Sequence, residues 1–203
     1  NGEISNSQAS YFLIMMLLIG LICLYQLNMK TWFLAISAIP LVILYPLAKR
    51  FTKWPQIILG LTFSWAVPTA WSSANEEWNL GIISMYLATV LWIIGYDTIY
   101  GCQDKNEDEI FGIKNSAVSA KNFLTLFVGC AYSLMFILLI ISGYLLKNSI
   151  FWYIGVSICG LHLVRQVIKL KNIEQNNPLQ IFKSNVLLGL ILTLSSLGNH
   201  IVF

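Results

Sequence analysis

Five of the nine acidic residues in this 203-residue chain fall between Tyr96 and Glu109. Asp97, Asp104 and Asp108 are spaced by seven and four positions, which a continuing helix would place on one face together with Tyr100. Carboxylates gathered in that way repel one another, so the cluster calls for a compensating cation. A small set of charged oxygen donors suits Mg²⁺, which keeps part of its water shell and bridges to phosphate groups. Lys105 and Lys114 flank the cluster and can meet further phosphate oxygens as point charges. A plain solvated loop is the competing reading, and it is sufficient for Glu107 and Glu109. It is weaker for Asp97, which follows the apolar wall of Trp92, Ile93, Ile94 and Tyr96, because a carboxylate at a membrane boundary is costly to keep there.

A second cluster lies upstream in Tyr45-Pro46-Leu47-Ala48-Lys49-Arg50. Taken alone, an aromatic ring with neighbouring basic residues describes interfacial anchoring equally well. Paired with an acidic loop on the same membrane face, it describes a diphosphate-handling site. Basic residues take phosphate oxygens, and acidic ones hold the metal.

The elements that must carry these groups follow from composition. Only 10% of residues are charged and 57% are hydrophobic, against about 25% charged in an ordinary soluble domain. The charges are clumped, leaving seven charge-free stretches (4–29, 31–48, 54–75, 78–96, 122–146, 148–164 and 184–203). About 20 apolar residues cross a bilayer core as a helix. The runs are apolar on every side rather than alternating, which excludes barrel strands and predicts an all-α, polytopic membrane bundle of about seven transmembrane helices in one domain, 1–203.

If the spans alternate in direction, ten of the twelve basic residues fall on one side and only Lys30 and Lys147 on the other. The basic side is expected to be cytoplasmic, so the Tyr96–Ser116 loop faces the cytoplasm. The net charge of +3 reports topology and gives no indication of a nucleic-acid partner. No signal peptide is visible, and a first residue of Asn1 suggests an internal fragment or a processed chain. Cys23, Cys102, Cys130 and Cys159 are scattered singly and read as small membrane-buried thiols. His162, Arg165 and Gln166 read as boundary anchors near the end of a span.

Tyr96-Asp97-Thr98-Ile99-Tyr100, Asp104-Lys105, Asp108 and Gly112-Ile113-Lys114-Asn115-Ser116 together resemble the second aspartate-rich motif of the UbiA superfamily of intramembrane prenyltransferases. Tyr45 and Lys49 resemble that family's YxxxK element, with Arg50 completing a basic pair. Trp54-Pro55-Gln56 and the tail Asn177-Pro178, Phe182-Lys183 and Asn185 are similar to its 4-hydroxybenzoate polyprenyltransferase branch. The resemblance runs along essentially the whole chain. It implies a nine-helix fold of which these are spans three to nine, with the first motif, NDxxDxxxD, outside the chain. Two local departures are Asn115 between the motif's lysine and serine, and Glu107 in place of a frequent aspartate.

The resemblance implies an enzyme that takes Mg²⁺, polyprenyl diphosphate and 4-hydroxybenzoate within a lipid bilayer, as a step of ubiquinone synthesis. Asp104 and Asp108 would be metal ligands, with Asp97 a third. Lys49 and Arg50 would hold diphosphate or the benzoate carboxylate, assisted by Lys105, Lys114 and Tyr100. Tyr45 would bond a phosphate oxygen or face the allylic cation. The expected membrane is the bacterial inner membrane, or alternatively the mitochondrial inner membrane. An inactive truncated remnant and a relative with another aromatic acceptor remain the competing readings. A retinal-type protein is disfavoured because residues 184–203 contain no lysine, and a transporter because no repeat symmetry is visible.

Overall fold

The computed structural model describes residues 4–74, 76–103, 115–120 and 123–198, apart from the side chains of Lys49 and Glu174. Among these residues the chain is helical throughout. Helix α1 (Asn6–Tyr25) opens on a capping box in which Ser5 and Gln8 satisfy each other's backbone N–H groups. Helices α2 (Met29–Ser37) and α3 (Ile39–Phe51) form one apolar span with a break at Ala38. The next apolar stretch is divided into α4 (Pro55–Ser64) and α5 (Ala66–Ser73), which meet at Trp65.

Helix α6 (Leu80–Tyr100) starts at Asn79, whose side chain accepts from the Gly81 and Ile82 N–H groups. A single turn, α7 (Ser116–Ser119), follows the charged loop. The bundle is completed by α8 (Leu124–Leu145), α9 (Ile150–Lys171), α10 (Pro178–Lys183) and α11 (Asn185–Leu197). Six helical segments are long and apolar enough to cross a membrane. The broken pair α4–α5 supplies the seventh stretch expected from the sequence.

Small residues let the spans approach closely, as helix packing in lipid requires. Gly95 of α6 lies directly against the Tyr132 ring of α8. In the same way Gly160 of α9 receives Phe136 of α8, and Gly143 of α8 receives Trp152 of α9. The α6–α8–α9 core, including Ala88, Ile99, Val128, Met135, Leu139 and Val156, is almost fully shielded. Helix α1 buries no residue at all. Its large apolar side chains face outward, where hydrocarbon is the matching solvent.

Candidate functional site

The residues that matter most converge at one end of the bundle. Tyr45 of α3 comes within Coulombic reach of Asp97 of α6, and Tyr96 lies within reach of both. Asp97 is half-buried in the last turn of α6, whereas Arg50 is exposed at the end of α3. The Tyr96 and Tyr100 rings both pack on Phe182 of α10, at centroid distances of 5.5 and 5.0 Å. One turn earlier on α6, Trp92 meets Tyr96 edge-on at 5.8 Å and donates its indole N–H to Asn185 Oδ1 at 2.8 Å. A stripe at i, i+4 and i+8 of α6 is therefore roofed by the junction between α10 and α11.

Asp97 lies on α6, while Asp104 and Asp108, expected on its face, lie outside the described residues. α6 ends at Tyr100, and Cys102 and Gln103 donate to carbonyls three residues back, at 3.1 and 2.9 Å, which tightens the chain into turns. Asp104, Lys105, Asp108 and Lys114 lie outside the described residues, as does the Lys49 side chain.

What holds the loop is visible at its two ends. Thr98 and Ser116 share a hydroxyl–hydroxyl bond of 2.6 Å, and both are fully buried. The Ser116 N–H donates to Gln56 Oε1 of α4 at 3.1 Å. Asn115, 3% exposed, donates from Nδ2 to the Gly101 carbonyl at 3.2 Å and accepts the Ala117 N–H at Oδ1 at 2.6 Å. A Cβ on Gly101 would stand 2.8 Å from Asn115 Oδ1, so a glycine is needed where the loop's two ends meet. Ser119 adds a bond to the Lys53 carbonyl at 3.1 Å. The segment 104–114 thus springs from a closed base made by α4, α6 and α7.

Sequence reasoning undervalued these residues. Buried polar groups inside apolar elements carried the signal, since Gln56 and Thr98 must be satisfied by something. His162 and Gln166 also differ from their expected role as boundary anchors. Both bond to Ser184 Oγ at 3.0 Å, and Gln166 Oε1 accepts the Tyr132 hydroxyl at 2.8 Å. They lock α8 and α9 to the α10–α11 junction, two residues from Phe182.

The sequence profile of the UbiA prenyltransferase family matches residues 1–192. The chain belongs to the UbiA prenyltransferase family. It is 36% identical over 201 residues to a protein of Francisella tularensis subsp. novicida named 4-hydroxybenzoate octaprenyltransferase, covering 99% of this chain and 71% of the relative. It is also 36% identical over 195 residues to the mitochondrial 4-hydroxybenzoate polyprenyltransferase of Drosophila melanogaster, covering 96% of this chain and 50% of that one. No solved structure matches it.

Asp104 and Asp108, two of the three expected metal ligands, lie outside the described residues, and among the described residues no cluster of three potential ligands occurs. All the candidate ligands are carboxylate oxygens, the hard donors that Mg²⁺ prefers. Asp97 is the described member, half-buried and within Coulombic reach of Tyr45 and Tyr96. A largely apolar cavity of about 500 Å³ opens between α4, α6, α10 and α11, bounded by Phe63, Trp92, Tyr96 and Phe182. A polar rim next to an apolar chamber suits an amphiphile with an anionic head.

Proposed function

We propose that this chain carries out transfer of a polyprenyl group from polyprenyl diphosphate to the ring of 4-hydroxybenzoate, in ubiquinone synthesis. The match along 99% of the chain to a protein named for that reaction carries the reading. The proximity of Tyr45, Tyr96 and Asp97 at the loop's base agrees with it. The membrane is the bacterial inner membrane, with the loop on the cytoplasmic face. The mitochondrial name of the Drosophila relative makes the mitochondrial inner membrane the second choice.

In this reading Asp104, Asp108 and Asp97 would hold Mg²⁺. When bound, the ion neutralises charge that develops on the leaving oxygens. Lys49 and Arg50 take diphosphate oxygens or the benzoate carboxylate, and Lys105 and Lys114 meet the remaining phosphate oxygens. The allylic C–O bond breaks with its electron pair leaving on diphosphate. Tyr45 turns its ring or hydroxyl toward that carbon, where an aromatic face stabilises positive charge. The phenol ring supplies the pair for the new C–C bond ortho to its hydroxyl, and the proton on that carbon passes to the released diphosphate, restoring the ring. Tyr100, against Phe182, borders the entrance.

The test is prenyl transfer in membranes carrying the chain alone and joined to the family's first two spans, each with Mg²⁺ or with EDTA. The expected result is product that requires both the metal and the first aspartate motif. Absence of transfer to any aromatic acceptor by the joined protein would refute the reading.

A further inference from the structure

The outward side of α8 and α9 carries two largely apolar grooves that meet at one lysine. One, of about 680 Å³, runs between the two helices, and the other, of about 740 Å³, lies along α8. Gly129, Ser133, Val167 and Lys171 border both. The ridge between the grooves is low because Gly129 and Ser133 are small, and a Cβ on Gly129 would meet only Val167, at 3.8 Å. Along α9, Ser157, Leu161, Val164, Ile168 and Lys171 recur every three or four positions and form one wall of the first groove. Phe136, packed on Gly160, forms part of its floor. Lys171 is exposed in the last turn of α9. Among the described residues neither groove has an acidic residue in its walls.

We propose that this face binds an anionic phospholipid, with one acyl chain in each groove and the phosphate at Lys171. The site goes beyond the transfer reading and does not depend on it. Two apolar channels under a single cation match a ligand with two chains and one charged head, whereas a single-chain guest would fill only one of them. The depth also matches. From Ser157 to Lys171 the wall runs about 21 Å at 1.5 Å per residue, enough to carry a chain from the boundary past the middle of a hydrocarbon core about 30 Å thick. An empty trough beside close-packed spans forfeits dispersion contacts that an acyl chain restores. The Lys171 stem can lie along the apolar wall while its ammonium reaches the boundary, where a basic position between spans attracts anionic lipid heads. Ordinary interfacial anchoring would explain the charge, but not the convergence of two grooves on it.

The experiment is native mass spectrometry of the purified protein, as the chain alone and joined to the family's first two spans, with equal amounts of phosphatidylglycerol and phosphatidylcholine. Both forms should retain phosphatidylglycerol about fivefold over phosphatidylcholine, the worth of one basic residue at an anionic head. Lys171→Gln should abolish that preference. Lys169→Gln, which alters a residue of the same turn that borders neither groove, should keep it. Gly129→Leu should lower retention of both lipids, and its lipid-free Tm should stay within a few degrees of the parent's because the position is open to a Cβ. Ser133→Leu, at an exposed position, should act in the same way. Phosphatidylglycerol should raise the Tm of the parent protein, and glycerol 3-phosphate, a head without chains, should not. A preference that survives Lys171→Gln overturns the proposal, as does lipid retention indifferent to both leucine variants or a Tm rise matched by glycerol 3-phosphate. Loss of the lipid on joining the first two spans would show that protein covers this face, and would overturn it equally. Prenyl transfer enters none of these readouts, so the site and the transfer reading stand or fall separately.

Discussion

Replacing Asn115 by alanine tests whether the closed base governs the loop. Asn115 is buried, and its two bonds join residues on either side of the loop, Gly101 and Ala117. Alanine leaves a shielded carbonyl and a shielded N–H unpaired, at about 1–3 kcal/mol each. Part of that cost is relieved by letting the ends separate and hydrate, so a local loss of about 2–4 kcal/mol is expected. At about 1.4 kcal/mol per tenfold, the closed base becomes some 30- to 1000-fold less favoured over the open one. If the aspartates must be presented from a closed base, kcat/KM for polyprenyl diphosphate should fall by at least about tenfold. Insertion and thermal stability should change little, because the spans are untouched. Gly101→Ala attacks the same junction from the other side, since its Cβ would stand 2.8 Å from Asn115 Oδ1, and it should produce the same kinetic defect. The assay is steady-state transfer in membranes by the chain joined to the family's first two spans, with hydrogen exchange across 98–120 as the readout of loop closure. Normal kcat/KM in both variants, together with raised exchange, would show that the closed base is irrelevant to turnover.

Three further outcomes are expected. Asp104→Ala should lower turnover by orders of magnitude without impairing membrane insertion, and unchanged turnover would remove it from the metal set. Gly95→Ala forces a methyl group into the Tyr132 ring, which its hydrogen bond to Gln166 prevents from swinging aside. Overpacking of about 1–3 kcal/mol should depress the detergent-solubilised Tm by several degrees, and an unchanged Tm would mean that the α6–α8 contact yields freely. Gln166→Leu removes the partner of the Tyr132 hydroxyl and one donor to Ser184. It should destabilise the protein by about 2 kcal/mol while sparing acceptor affinity, and a selective loss of acceptor binding would contradict its structural role.

The number and placement of spans could be read from charge-free runs alone because lipid admits only continuous apolar helices. The same rule hid the breaks. Trp65 divides α4 from α5, and Ala38 divides α2 from α3, yet neither interrupts an apolar run. Asp97 and Tyr45 were visible as chemistry-bearing types, and the fold brings them together. The helix stop at Tyr100 had a local signal in Gly101, which directly follows it, but its partner Asn115, fourteen residues away, was not legible. Gln56, Thr98, Ser116 and Ser184 looked like incidental polar residues. Their importance lies in partners that only tertiary packing supplies.

The position of those polar bonds explains how a charged loop can be tethered to an apolar bundle. Water competes for every hydrogen bond on an exposed loop, so bonds there hold weakly. The contacts that fix this one lie just inside the boundary, among groups such as Thr98 and Ser116 that are fully shielded. There an unpaired polar group costs more than the bond is worth in water. Rigidity is therefore concentrated at the base. The Phe182 roof extends the same logic sideways. It is held by the Ser184 and Asn185 junction, itself bonded to α9 and α6, so the wall shared by loop and cavity is set by buried polar contacts. Changing that junction should disturb the loop base and the cavity together, which is the coupling a two-substrate site requires.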